Sequence, residues 1–177
     1  MLPTRRQMAL ALSAFGMLAL SACGRRHSGL PDRITRVYRG PKADQILVRK
    51  TERKMYMLKE RRPIAIYDVE LGFAPEGHKT TEGDGRTPEG GYIIDRRNDR
   101  SEFFLSLGIS YPNAQDIAQA RARGVNPGGA IFIHGGPRRR EHFGKPDWTA
   151  GCIAVTDDEM QDIWQMVDDG TPIWIAA

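Results

Sequence analysis

Two residues of this sequence combine type and spacing in a way that supports chemistry: His134, at the end of the apolar run AIFIHGG, and Cys152, eighteen positions later in WTAGCIAV. A thiol becomes a strong nucleophile only on losing its proton. An imidazole within hydrogen-bond reach can take that proton and later return it to a leaving amine. Gly151 leaves room for a substrate carbonyl to approach, and the Cys152 backbone N–H can stabilise the oxyanion formed on attack. The chemistry such a pair can support is nucleophilic attack on a carbonyl. On cysteine count alone, a buried Cys152 acting as a small hydrophobe explains the residue equally well. His134, His142, Asp147 and Cys152 are all ligand types that zinc accepts, but their spacing fits no common zinc signature, so no metal and no other cofactor is expected.

These residues need a scaffold, and the pattern along the chain supplies one. QILVRK from Gln45, then KMYMLKE and PIAIYDVELG, are short β-prone runs separated by charged turns, as in an antiparallel meander. GYIID and FFLSLGISY continue the strand series. The segment between His78 and Tyr92 is dense in glycine, which signals tight turns or close backbone approach; it lacks the G-x-x-x-x-G-K-[ST] pattern of a phosphate-binding loop. Asn113 can cap a short helix AQDIAQARAR that Gly124 stops. A second helix follows CIAV: Thr156 and Glu159 form a capping box, and Met160, Ile163, Trp164 and Val167 fall at core-facing spacing. TPIWIA gives a last strand. The fold class expected is mainly β, a β-sandwich or partly closed barrel, with about two short helices.

The amino-terminal end reads as an export signal: Arg5 and Arg6, an apolar run from Met8 to Leu20 that is short of the ~20 residues a spanning helix needs, and Leu20-Ser21-Ala22-Cys23. The last four resemble a lipobox, which makes residues 1–22 a lipoprotein signal peptide and Cys23 a lipidated amino terminus. Residues 23–44, polar and interrupted by Gly and Pro, are expected to form a flexible tether, with one domain over 45–177. Cys152 is then left without a pairing partner. Of the formal net charge of +4, Arg5 and Arg6 contribute two, and no basic stripe with interleaved aromatics is present. A nucleic-acid partner is therefore not expected.

Together these motifs resemble the L,D-transpeptidase family, whose signature is His-Gly, a loop, then Ser/Thr-x-Gly-Cys and an apolar residue. His134-Gly135 and Thr149-Ala150-Gly151-Cys152-Ile153 match in order and spacing. Gly85 to Tyr92 resembles the family's Gly-x-x-Thr-Pro-x-Gly turn, and LGISYPNAQD resembles the branch containing YafK-type proteins. The resemblance implies that Cys152 attacks the carbonyl joining a diamino acid to the terminal D-alanine of a peptidoglycan tetrapeptide stem. His134 acts as base and then acid, its ring oriented by a carbonyl or hydroxyl for which Gly135, Gly136 and Thr149 are the candidates. An amine of a second stem, a lysine of a peptidoglycan-attached lipoprotein, or water resolves the thioester. Ala150 and Ala154 stand where many members carry His and Arg or Asn, which weakens the expected hold on an acceptor. A non-catalytic peptidoglycan-binding lipoprotein is the reading from another class.

Arg138, Arg139 and Arg140 read either as a solvated loop face or as a clamp for stem carboxylates. His78 and His142 sit beside glycine-containing loop sequence and are expected to be solvated, with His142 also able to touch substrate. Tyr111, Trp148 and Asp147 flank the motifs as groove-lining candidates whose default role is packing.

Overall fold

In the computed structural model, which describes residues 31–177, the strands are β1 (Gln45–Arg49), β2 (Lys54–Lys59), β3 (Arg62–Asp68), β4 (Gly90–Asn98), β5 (Ser106–Ile109), β6 (Phe132–His134), β7 (Ile153–Ala154) and β8 (Pro172–Ala176). They form one sheet in the order β3-β2-β1-β8-β4-β5-β6-β7. The antiparallel meander β1–β2–β3 is as the alternating pattern requires. The parallel pairings β1–β8 and β6–β7 join segments far apart in sequence.

Of the two expected β architectures, the partly closed barrel describes the molecule. β3 and β7 are the two edges, and the chain leaving β3 crosses to the other edge: Glu70 and Ala154 exchange backbone hydrogen bonds of 2.9 and 2.8 Å. Leu71 and Phe73 likewise bond to both sides of Thr149, at 3.0 and 2.9 Å. Pairing the edges satisfies backbone groups that would otherwise be open. It also ties the loop before Cys152 to the β3 end of the sheet.

Helix α1 (Ala114–Ala122) is capped by Asn113 and helix α2 (Asp157–Met166) by Thr156, each with a complete capping box. In the second, Met160, Ile163, Trp164 and Val167 are buried against Ile46, Ile94, Leu107 and Ile133 in one core cluster. The run FFLSLGISY forms strand only from Ser106, because Phe104 takes a left-handed φ of 74° that a strand does not accommodate.

One boundary is corrected. Residues 35–43, read as tether, lie on α2: Arg36 makes two bonds to the Asp162 carboxylate, the Thr35 N–H donates to Gln161, the Tyr38 N–H donates to Gln165, and Ala43 N–H donates to Met166 O. Ile34 and Tyr38 pack on the core. These pairings lie more than a hundred residues apart in sequence, which is why local composition does not reveal them. Residues 1–30, with the signal peptide and Cys23, lie outside the described residues.

Candidate active site

Strand β6 delivers His134 to the face of β5–β6–β7 opposite the main core, and its ring is fixed from three directions. Nδ1 lies 2.7 Å from Gly135 O. Phe103 stacks on the ring at 4.6 Å and Trp148 meets it edge-on at 5.6 Å. A carbonyl only accepts, so Nδ1 carries the proton and Nε2 is left as the unprotonated, basic nitrogen. Burial pushes the imidazole pKa below its ordinary value, against the Gly135 hydrogen bond and with help from the Arg138 charge. His134 is therefore a neutral base at neutral pH.

The segment Asp147–Cys152 is built to present the thiol. Asp147 accepts from Arg53 Nε and Nη2 at 2.9 and 2.7 Å and from the Leu71 N–H at 3.1 Å. Thr149 Oγ1 donates to Cys152 O at 2.8 Å and accepts from the Gly151 N–H at 3.1 Å, closing the turn around the nucleophile. Gly151 has a φ of 130°, and a Cβ there would come 2.6 Å from Arg86 O, so only glycine fits beneath the turn containing Thr87 and Pro88. The Cys152 thiol donates to Ala130 O at 3.6 Å and accepts from the Phe132 N–H. Burial pushes its pKa above the ordinary thiol value.

Burial thus favours the neutral form of both groups. Both residues line one cavity of about 360 Å³ with Phe73, Glu102, Phe103, Arg139, His142, Trp148, Thr149 and Ala150.

Of the three orienting candidates, Gly135 supplies the carbonyl that holds His134. A Cβ on Gly135 would meet Asp157 Oδ1 at 2.4 Å and Phe103 O at 2.7 Å. Gly136 instead donates its N–H to Asp157 at 3.0 Å, and Thr149 shapes the cysteine turn. The Gly151 N–H is committed to Thr149, so the Cys152 N–H is the turn's candidate oxyanion donor. Thr149→Val is expected to lower turnover roughly tenfold through loss of both hydroxyl bonds, with Thr149→Ser keeping most of it. Steady-state rates for the three proteins check this; equal rates for valine and threonine would remove the hydroxyl from the account.

The arginine run divides. Arg139 lines the cavity; Arg138 is held by Asp157 through two contacts of 2.8 Å and by Glu102 O; and Arg140 begins a 3-10 turn (Arg140–His142) outside the cavity lining. Tyr111 is corrected from groove to core: it is buried and bonded to Pro127 O and Lys79 O. Trp148 does line the site, and His142, expected to be solvated, stacks on it at 5.2 Å. His78 is also corrected, since its Nδ1 accepts from the Glu89 N–H at 2.9 Å and its Nε2 lies 3.1 Å from Asp116. Asp147 is committed to Arg53, away from a shared ligand set with the histidines. Sequence reasoning missed Phe103 and Phe73; their only signal was an aromatic residue beside each motif-bearing segment.

The molecule resembles known proteins in sequence and fold. It is 31% identical to "Putative L,D-transpeptidase YafK" of Escherichia coli K12 over 93 residues, which is 51% of this chain and 32% of that protein. The helical cell shape determining protein Pgp2 from Campylobacter jejuni superposes with a TM-score of 0.55 at 24% identity, covering 77% of this chain and 51% of that one. Bd1075 from Bdellovibrio bacteriovorus superposes with a TM-score of 0.53 at 24% identity, covering 76% and 47%. The chain thus spans about a third of the curated relative and about half of each solved one. Residues 43–175, which hold both motifs and every strand but the last residue of β8, match the YkuD L,D-transpeptidase catalytic domain, and the chain belongs to that family.

Proposed function

We propose that this protein is a cysteine-dependent L,D-transpeptidase of peptidoglycan. Cys152 attacks the carbonyl before the terminal D-alanine of a tetrapeptide stem; the C–S bond forms, the C–N bond breaks, and D-alanine leaves with the proton that His134 took from the thiol. The observation that carries this reading is the Gly135 carbonyl on Nδ1, which leaves Nε2 basic in the cavity that also holds the thiol. The sequence likeness to YafK and the cell-shape role named for Pgp2 support a reading of this chemistry as cell-wall remodelling.

Ala154 favours a second outcome for the thioester. It is buried, borders a cavity shared with Gly136 and Trp148 beside the one that holds Cys152, and puts a methyl group where many members of the family it resembles carry a polar grip. Holding an acceptor in place can account for ~7 kcal/mol or more of a barrier, and water needs less holding than an amine. Hydrolysis, trimming a stem or releasing an attached lipoprotein, is then a substantial product. With defined tetrapeptide muropeptides, Ala154→Arg is expected to raise the ratio of cross-linked to hydrolysed product. A wild-type protein that only cross-links, with a ratio indifferent to the substitution, would contradict this.

Export and a lipid anchor at Cys23 belong to the same proposal, carried by the lipobox-like sequence. Cys23→Ala is expected to leave an uncleaved or soluble protein; unchanged mass and membrane fractionation would refute lipidation.

A further inference from the structure

The face of the sheet that holds His134 carries two cross-strand rows. One runs Asn98–Ser106–His134–Ala154 and the other Arg96–Gly108–Phe132, whose backbone N–H meets the Cys152 sulfur. Arg96 belongs to the second row because β4 has a bulge between Ile94 and Arg96: those two residues oppose the consecutive partners Ile109 and Gly108, leaving Asp95 extra. Bulges beside sites commonly re-aim a side chain in this way. Gly108 lets the side chain through, since a Cβ there would meet Arg96 Cγ at 2.4 Å. The guanidinium then lies over the Phe132 ring, 4.5 Å from its centroid. Asp95 holds Nη1 at 2.7 and 2.8 Å, while Nε and Nη2 take no partner among the described residues. A bulge, an unfilled glycine position and a ring platform together hold the cation over Phe132, two residues before His134 in β6, where its charge acts on the Cys152 thiol.

We infer that Arg96 is a donor-binding residue that holds a carboxylate of the acyl-donor peptide beside Cys152. As a statement about the donor it rests on the acyl-transfer reading above. A half-exposed guanidinium with two free donor nitrogens suits a carboxylate, and Phe132 limits its motion.

The test compares alkylation of Cys152 in the full chain by iodoacetate and iodoacetamide, followed by peptide mass spectrometry. In both reactions the sulfur–carbon bond forms, iodide leaves and the thiol proton passes to base; only iodoacetate carries the carboxylate. The ratio of the two rates cancels changes in thiol acidity or general structure. In Arg96→Gln the iodoacetate-to-iodoacetamide ratio is expected to fall roughly threefold to tenfold, with Arg96→Lys intermediate and Arg121→Gln, exposed on α1 away from the cavity, close to wild type. A ratio unmoved by Arg96→Gln, or one that falls as far in Arg121→Gln, overturns the assignment. The second measurement uses donor peptides with free or amidated carboxylates, whose KM difference should collapse in Arg96→Gln; an undiminished difference also overturns it. The alkylation ratio uses no peptide, so its failure is distinct from failure of the transpeptidase reading.

Discussion

His134→Ala is expected to lower turnover of a tetrapeptide muropeptide by about 10²–10⁴-fold, the contribution of a positioned base that also serves as acid. The pH profile gives a second signature. Burial depresses the His134 pKa, so the basic form persists below the ordinary imidazole value of about 6.5, and kcat/KM should rise with pH along an acid limb centred below that value. The limb should vanish in the alanine protein. Alkylation of Cys152 should show the opposite displacement: the thiol pKa is raised, so its rate keeps climbing with pH beyond the point at which a free thiol levels off. An acid limb near neutrality that survives removal of His134 would show that another group is the base, and His142 on Trp148 would be the first to examine.

Cys152→Ala is expected to lower turnover beyond about 10⁴-fold, to a small residual rate measurable at high enzyme concentration. The informative protein is the double variant. If thiol and imidazole act as one unit, adding His134→Ala to Cys152→Ala costs nothing further, because a base without a nucleophile has no task. A double variant measurably slower than Cys152→Ala would mean that His134 has a role independent of the thiol. Because His134 is buried against Phe103 and Trp148, thermal unfolding of each variant accompanies the rates, so that a loss of structure is told apart from a loss of chemistry.

Much of this arrangement is legible in the residues, and the exceptions share a cause. The helices follow from Asn113 and Thr156 as caps and from the spacing of Met160, Ile163, Trp164 and Val167, all local information. The strands follow from alternation. Which strands pair does not, since the parallel β1–β8 and β6–β7 contacts and the Glu70–Ala154 closure join distant segments. The same limit explains the misread side chains. Tyr111 is next to a motif in sequence, yet its hydroxyl is drawn to Pro127 and Lys79 carbonyls. Arg138 stands in an exposed-looking basic run, yet Asp157 at the start of α2 claims it. Residues 35–43 have a linker's composition, and only the polar groups of α2 reveal where they dock. Conversely, His134, Cys152 and Gly151 were legible because their chemistry depends on residue type and order. Glycine at 151 is required by a backbone contact with Arg86 that no side chain would tolerate.

The central claim is that Cys152 becomes an acyl carrier. The direct measurement is intact-protein mass spectrometry after brief mixing with a tetrapeptide muropeptide and an acid quench, which preserves a thioester. The predicted result is an adduct equal to the muropeptide less D-alanine, mapped to Cys152, accumulating faster in wild type than in His134→Ala and absent from Cys152→Ala. Release of D-alanine by the wild-type protein with no such adduct, and continued release by Cys152→Ala, would contradict the account.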